Sequence, residues 1–324
     1  MNKKITLAFK GMAMGIAEVI PGVSGGTIAF ITGIYETLLD SIKSFGPDLL
    51  PVFKREGFGG VWEAVNGGFL VNLLLGMLIG VVVGVFGVSH ILENYPIHLW
   101  AFFFGLIIAS AVYIARQVEQ WGLRQILCMV VGIAIAYYIT VAAPATGNEA
   151  LWFIFLSGTI AISALILPGI SGSFILLLMG MYTIILPTVK ETLQTFDPQG
   201  LLVMAIFGAG CITGLMTFSR VLSWTFKNFH DATMAALTGF MIGSLNKIWP
   251  WRKAVQGIDE EGNIVAITPD TEVDKILREV NLLPDAYALE VGEAYLPYAI
   301  ALMLVGFISV FLLERIGEQG ANAE

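Results

Sequence analysis

Six apolar stretches, each about as long as a membrane-spanning helix, constrain the fold of this chain more than any other feature. They lie at about 69–88, 97–115, 126–142, 201–222, 233–249 and 295–313. Charged residues make up 13% of the 324 residues, which is about half the share of an ordinary soluble domain. A soluble fold of this size has no way to bury so much apolar surface. The sequence therefore predicts an all-α polytopic membrane protein.

Two further apolar regions, 5–34 and 152–181, are each interrupted near the middle by a Pro-Gly pair. Proline lacks a backbone donor and glycine lets the chain reverse, so we expect a helix to break at each pair. The arms on either side are too short to span a bilayer alone. We therefore predict two re-entrant helical hairpins, whose tips are buried in protein or line a wet cavity inside the membrane.

An internal sequence repeat relates the two breaks. IPGVSGGTIAFITGIYE surrounds the first break and LPGISGSFILLLMGMYT surrounds the second, with matching residues 147 positions apart. Weaker matches 134 positions apart join Gly76 to Gly210 and Gly80 to Gly214. The weaker matches carry less weight, because small residues are common wherever helices pack in lipid.

The repeat divides the chain into two halves of the same build. Residues 1–145 form the first half and residues 150–324 the second, and each contains one hairpin and about three spans. Because three is an odd number, the second half is expected to insert upside down. Such an inverted repeat with broken helices is typical of secondary transporters. A duplication retained only for folding is the alternative.

The distribution of lysine and arginine predicts the orientation of the chain. Cytoplasmic loops are rich in both residues. With the N-terminus inside, the short outer loops 89–96, 143–151 and 183–200 hold only Lys190. Both termini are therefore predicted to be cytoplasmic. The acidic loop 251–294 then lies on the outer side, where we expect a small solvated lid or a short helix.

The hairpin tips carry residue types suited to binding an anion. A serine or threonine after each break can cap the next helix, whose N-terminus presents free N–H groups and the positive end of its dipole. Glycines let a ligand approach the backbone closely. A tight packing turn is the alternative. The predicted head-group contacts are Pro21, Gly22, Ser24, Gly25, Gly26 and Thr27 in the first tip, and Pro168, Gly169, Ser171, Gly172 and Ser173 in the second.

Charged residues within apolar segments are costly and therefore point to function. Glu18, three residues before the first Pro-Gly pair, is predicted to contact the head group or to couple transport to H⁺ or Na⁺. It could instead satisfy backbone donors at the tip. Arg220 is predicted to pair with a phosphate, or else to extend towards the membrane surface.

A third cluster of candidate residues lies in the stretch GSLNKIWPWRK at the predicted outer interface. Lys247, Trp249, Trp251 and Arg252 are predicted to capture an anionic lipid head group. Interfacial anchoring by the tryptophans is the alternative. The net charge of −8 argues against nucleic-acid binding, which favours a basic surface. No metal or cofactor is indicated, because the two cysteines lack a ligand motif. The sequence leaves open whether the chain forms a homo-oligomer.

The paired PGxSG tips, together with Ser219, Arg220 and GSLNKIWPW, resemble a bacterial membrane family of polyprenyl-phosphate translocases, formerly described as a domain of unknown function. The resemblance covers nearly the whole chain. It implies a lipid flippase in the bacterial cytoplasmic membrane. Its substrate would be undecaprenyl phosphate, returned from the outer to the inner leaflet for reuse in cell-wall peptidoglycan biogenesis.

Undecaprenyl-diphosphate phosphatases have a similar inverted pair of hairpins and are the alternative family. Those enzymes carry an arginine beside the tip serine, together with clustered glutamates. Here Gly25 and Gly172 stand in the place of the arginine, and Glu18 has no second glutamate four residues away. Without a cation in the tip, the charge of a pyrophosphate has no stabilising group there. We therefore expect a transporter rather than a hydrolase. A channel or scaffold has less support, because no polar pore stripe is present.

Overall fold

The computed structural model describes residues 3–20, 23–142, 145, 147–259, 264–268, 271, 273 and 275–321 of the chain. Most of these residues are helical, as predicted for an all-α membrane protein. A small three-stranded sheet is the exception. Pro21 and Gly22, two of the predicted head-group contacts, lie outside the described residues.

The first half consists of helices that begin at the N-terminus and end before the second hairpin. They are α1 (Lys3–Val19), α2 (Gly25–Ile31), α3 (Tyr35–Lys43), α4 (Leu49–Ala64), α5 (Gly67–Val83), α6 (Ser89–Asn94), α7 (Pro96–Ala115) and α8 (Leu123–Val141). A π-helical turn, Gly84–Val88, joins α5 to α6. α5, the π-helical turn and α6 therefore form one continuous, mostly apolar helical segment, which ends at Asn94 just before α7.

The second half contains the remaining helices and the sheet. Its elements are α9 (Leu151–Ile166), α10 (Gly172–Leu178), α11 (Tyr182–Thr195), α12 (Pro198–Asn228), α13 (His230–Ser244), β1 (Arg252–Ile258), β2 (Ile264–Ala266), β3 (Lys275–Asn281), α14 (Pro284–Glu290) and α15 (Leu296–Ala321). The strands pair antiparallel in the order β2-β1-β3. The predicted outer loop 251–294 thus contains a sheet as well as the short helix α14.

One helix ends shortly before the position of each Pro-Gly pair in the sequence, as predicted. α1 ends at Val19 and α9 ends at Ile166, and each is followed by a short helix of seven residues, α2 or α10. A second turn then follows at Gly33 and Gly180, whose φ angles are +69° and +68°. Side chains other than glycine rarely adopt this conformation. The second arm of each hairpin is therefore only two helical turns long.

Fewer helices than predicted have the length of a full span. Among the described residues, four helices are long and apolar enough to cross a membrane: α5 extended to Leu92, α7, α8 and α12. A fifth qualifies if α10 and α11, bent by 111°, form one broken span. In place of the predicted span 233–249 the structure has α13, His230–Ser244, with 15 residues and a length of about 22 Å. It ends early because the chain turns at Leu245 towards the sheet.

The same helix contact occurs once in each half. α1 packs along α5, and α9 packs along α12. In each pair, glycines of the second helix lie against carbonyl oxygens of the first, where a Cβ would overlap. The contacts are Gly76 with Ala8, Gly80 with Met12, Gly210 with Phe155 and Gly214 with Thr159. The glycines correspond at 134 residues and their partners at 147, as in the sequence repeat.

The last helices of the two halves are exchanged. α7 packs against α15 of the second half, and α13 packs against α8 of the first. Glycines again face carbonyl oxygens at corresponding positions. The contacts are Gly105 with Met303, Gly306 with Phe102, Gly239 with Met129 and Gly132 with Ala236. Each half therefore completes the helix packing of the other, so the two halves form one interlocked bundle.

Two tryptophans attach the sheet to one end of the bundle, which we name the sheet end. The indole Nε1 of Trp249 donates to the carbonyl oxygen of Leu282 at 2.8 Å. Trp251 Nε1 donates to the carbonyl oxygen of Ala294, also at 2.8 Å. The sheet is therefore held against the helices as a cap. The end that carries the N-terminal residues of α1 is the opposite end.

Candidate functional site

The two hairpin tips contact each other in the interior of the bundle. Ser24 Oγ lies 3.3 Å from the carbonyl oxygen of Leu165 and 3.2 Å from that of Leu167. The backbone N–H of Gly169 donates to Thr27 Oγ1 at 3.2 Å. Ser24, Thr27 and Gly169 are all buried. The structure thus brings together tip residues that are more than 140 positions apart in the sequence.

Internal groups already accept the N–H donors at the start of α2. The backbone N–H of Gly25 donates to Glu18 Oε1 at 2.7 Å. The N–H of Gly26 donates to Ser24 Oγ at 3.1 Å, so Ser24 is the N-cap, and Thr27, the other cap candidate of the sequence, is not. The carboxylate of Glu18 therefore lies where the sequence predicts a bound anion. An external anion has to displace it to reach the same donor.

The second tip is built differently. Leu165 stands at the position that corresponds to Glu18, so this tip has no matching carboxylate. Ser171 Oγ lies 2.9 Å from Ser173 Oγ and makes no capping hydrogen bond. Ser171 is buried, and Ser173 is exposed. Pro168 and Gly169 are buried, and Gly169 packs against Ser244 at the end of α13.

Tyr35 is a tip contact that the sequence argument did not include. Its hydroxyl donates to the carbonyl oxygen of Ile166 at 3.0 Å, and the residue is buried. Its ring also packs edge-on against Phe226 of α12. The match of Tyr35 to Tyr182 in the repeat was the available signal. This match does not reveal the contact, because the carbonyl oxygen that accepts the hydrogen bond, that of Ile166, lies in the other half of the chain.

Arg220 donates its hydrogen bonds to groups outside the two tips. Its guanidinium donates to the carbonyl oxygens of Met216 and Phe45 at 2.8 and 2.7 Å. Nearby, Asp40 Oδ1 accepts hydrogen bonds from Lys43 and Ser223. In this conformation Arg220 therefore connects α12 to the turn between α3 and α4. Its predicted role as a phosphate partner stays a prediction.

A cavity of about 280 Å³ opens at the sheet end, between α8, α10 and β3. Lys247 and Arg252, two of the four predicted capture residues, line it. Trp249 and Trp251 hold the sheet through the hydrogen bonds described above. Phe174, which directly follows the second tip, also lines the cavity. Two charged lining residues, Arg278 and Glu279, were not predicted, because the segment that forms β3 was expected to be a loop or a short helix.

Lys247 and Arg252 share one carboxylate in this cavity. Glu279 Oε2 lies 2.7 Å from Arg252 Nη1 and 3.3 Å from Lys247 Nζ. The Arg252 side chain is 7% exposed, and its guanidinium carbon lies 4.1 Å from the centre of the Trp100 ring. Burial lowers the pKa of Arg252, and Glu279 opposes this shift. The nearby carboxylate therefore offsets part of the cost of burying the guanidinium.

Metal-binding clusters are not found in the described part of the chain. No group of three or more His, Cys, Asp or Glu side chains there has the arrangement of a metal site. Cys128 in α8 and Cys211 in α12 are free thiols.

These two regions fall largely within a match to a known family. A family model described as undecaprenyl phosphate translocase-like matches residues 14–265. The chain belongs to this family. The match includes both hairpin tips, Arg220, Lys247 and Arg252. It ends before β3, so Arg278 and Glu279 lie outside it.

Two curated relatives match the chain over most of their length. A Vibrio cholerae protein named polyprenyl-phosphate transporter is 48% identical over 246 residues, which are 76% of this chain and 78% of that protein. A Staphylococcus aureus protein of the same name is 31% identical over 255 residues, 74% of this chain and 84% of that protein. No solved structure matches the chain.

Proposed function

We propose that this protein is a transporter of polyprenyl phosphate, and that its two hairpin tips control the passage of the phosphate head group. Both curated relatives are named as transporters rather than enzymes. The observation that carries the proposal is the buried contact of Ser24 and Thr27 with the second tip. In an alternating-access carrier, a contact of this kind between the tips would keep the two sides of the membrane apart.

We infer an inverted repeat from the way the two halves pack. α1 and α5 pair in the same way as α9 and α12. α1 begins at the opposite end, whereas α9 begins beside the cavity at the sheet end, where Ala145 bonds to Leu178. The two hairpins therefore enter the bundle from opposite ends. Rocking of one half against the other would expose the tips to each side in turn.

The proposed orientation places the sheet end outside the cytoplasm and both termini inside. It rests on the excess of lysine and arginine in the loops of the opposite end. The proposed transport runs from the outer to the inner leaflet of the bacterial cytoplasmic membrane, which recycles the undecaprenyl carrier of peptidoglycan synthesis. Arg220 is proposed to meet the head group on the cytoplasmic side, after it releases the carbonyl of Phe45.

Glu18 is proposed to couple head-group binding to a cation. Its carboxylate occupies the N–H of Gly25, so a phosphate and Glu18 compete for one donor. Protonation of Glu18 removes its charge and favours the exchange. Inward movement of a phosphate against a negative-inside potential costs about 2.3 kcal/mol per charge per 100 mV. A co-transported H⁺ compensates for this cost, and Na⁺ is the other candidate.

The prenyl tail is proposed to remain in the bilayer while the head group crosses. Burial of each CH₂ group is worth about 0.8 kcal/mol, so extraction of a long prenyl chain into water is prohibitive. The route of the head group must therefore open sideways to lipid. Exposed apolar side chains along α8, including Tyr137 and Val141, border the cavity at the sheet end.

The test uses the purified full chain in liposomes that contain labelled undecaprenyl phosphate. We expect exchange of the lipid between leaflets, and no phosphate release when the diphosphate form is supplied. Ser24→Trp is expected to abolish exchange, because the tip has no space for the ring. Thr183→Trp, at an exposed position of α11, is the matched control and should leave exchange intact. Phosphate release by the unmodified protein would show a hydrolase instead.

A further inference from the structure

The cavity at the sheet end carries an excess of positive charge. Its charged lining residues are Lys247, Arg252, Arg278 and Glu279, three cations and one anion. The chain as a whole has a net charge of −8, so this local excess runs against the average charge of the protein. A phosphomonoester near neutral pH carries a charge of about −1.5 to −2, which matches the excess in the cavity.

Arg252 has hydrogen-bonding capacity that the described residues leave unused. Both of its hydrogen bonds come from Nη1, to the carbonyl oxygen of Lys247 at 2.9 Å and to Glu279 at 2.7 Å. Its Nε is buried and has no partner within the described part of the chain. A guanidinium can bind a phosphate through two parallel N–H donors. Arg252 is therefore a positioned donor whose present ligands satisfy only one of its nitrogens.

An ion-pair cluster that merely fastens β3 to the bundle is the competing explanation. A buried cluster of this kind is favourable when every donor is satisfied. Here one oxygen of Glu279 accepts hydrogen bonds from both Lys247 and Arg252, and the buried Nε of Arg252 has no partner among the described residues. Arg278, which also lines the cavity, makes no ion pair with another described residue. The cluster thus lacks negative charge and acceptors.

We propose that this cavity is a binding site for a phosphomonoester dianion, held by Lys247 and Arg252, and that Glu279 occupies the place of the ligand when the site is empty. Entry of the phosphate displaces the Glu279 carboxylate, and the second phosphate oxygen reaches Arg252 Nε. The identity of the ligand rests on the proposed function, which makes it the head group of polyprenyl phosphate. Free phosphate has the same chemistry and is distinguished by the test below.

The walls of the cavity favour a lipid over free phosphate. One side is polar and is formed by β3 and the turn after α13, while the other is formed by Phe174 and Leu178 of α10 with Val141 of α8. Lys247 Nζ lies 4.7 Å from the centre of the Phe174 ring. Since Phe174 follows the second tip by one residue, a head group in the cavity lies next to that tip. The cavity is therefore well placed to bind the head group before the head group passes the tips.

The test measures equilibrium binding of two probes, inorganic phosphate and a soluble short-chain prenyl phosphate, to the full chain in detergent. Glu279→Gln removes the competing charge and keeps the shape, so we expect about tenfold tighter binding. Arg252→Gln should weaken binding about tenfold. Glu290→Gln breaks the exposed ion pair with Lys253 and serves as the matched control, with no expected change.

The gain of affinity in Glu279→Gln is the decisive result, because loss of a purely structural ion pair would not tighten phosphate binding. This result also remains interpretable if the Arg252→Gln variant fails to fold. Unchanged or weaker binding in Glu279→Gln would overturn the site. Tighter binding of the prenyl phosphate than of inorganic phosphate supports a lipid head group, and equal binding of the two rejects it. Lipid exchange in liposomes is measured separately from binding. A failure of the transport proposal would therefore not affect the binding result, and a failure of the binding site would not affect the transport result.

Discussion

Glu18 Oε1 accepts the backbone N–H of Gly25 across the break of the first hairpin, at 2.7 Å. At the corresponding place in the second hairpin, Leu165 faces Gly172 and offers no acceptor side chain. The two tips are thus alike in backbone and different in charge. Because of this difference, we propose that the coupling cation acts at the first tip.

We expect Glu18→Gln to remove the pH dependence of lipid exchange. The amide oxygen can still accept the N–H of Gly25, so the tip keeps its shape, but the residue no longer titrates. The measurement is the rate of leaflet exchange in liposomes on both sides of neutral pH. Glu36→Gln, at an exposed position of α3, is the control. A pH profile identical to that of the unmodified protein would remove Glu18 from the coupling step.

Gly26→Ala should force the two tips apart. A Cβ at Gly26 would lie 2.5 Å from the carbonyl oxygen of Ile166, which is closer than packed atoms tolerate. Overpacking of this kind costs about 1–3 kcal/mol. We expect a lower unfolding temperature and a several-fold slower lipid exchange.

Gly59→Ala is the control for this experiment, because a Cβ at Gly59 meets no atom within 4 Å. It should leave both the unfolding temperature and exchange nearly unchanged. Equal effects of the two substitutions would show that the tip contact is loose enough to absorb a methyl group, contrary to the proposed barrier.

Gly76→Ala and Gly210→Ala should destabilise the protein by similar amounts, about 1–3 kcal/mol each. Both glycines face a carbonyl oxygen of the helix packed against them, Ala8 in one half and Phe155 in the other. The measurement is thermal unfolding in detergent, with Gly208→Ala as the control because its Cβ meets open space. Strongly unequal effects would argue that the two halves do not share one packing mode.

Asp231 should stabilise the opposite end at neutral pH and not in acid. Its carboxylate accepts the backbone N–H groups of Glu119 and Gln120 at 3.2 and 3.1 Å, and these hydrogen bonds lower its pKa. A lowered pKa in the folded state adds stability above the ordinary value for aspartate, about 3.9, and this stability disappears as the pH falls through the folded pKa.

Asp231→Asn should therefore lower the unfolding temperature at neutral pH, and the two proteins should converge as the pH is lowered into the acid range. Thermal unfolding at a series of pH values measures the convergence. Asp285→Asn, in the first turn of α14, is the control and should show a smaller difference. A gap of constant size at every pH would mean that the charge of Asp231 is unimportant.

Much of the fold follows from local rules and is predictable from the sequence. Proline and glycine break a helix through their own backbone chemistry, so α1 and α9 each end shortly before a Pro-Gly pair of the sequence. Ser24 caps α2 because the cap depends on residues within one turn. Long apolar stretches become helices because lipid leaves the backbone no other partner. The lengths of those helices do not follow from this rule, since α13 ends at Ser244, where the chain turns towards the sheet.

Contacts between distant residues depend on how the helices pack, and only the tertiary structure decides them. Ser24 meets the carbonyl of Leu167 because the start of α2 lies against the end of α9. Arg220 binds the carbonyl of Phe45 because α12 passes the turn after α3. Glu279 reaches Arg252 because β3 pairs with β1. The sequence by itself thus determines where the helices break and which residues are costly in the membrane. Packing decides which charges and donors meet, because each such meeting joins segments with no local relation.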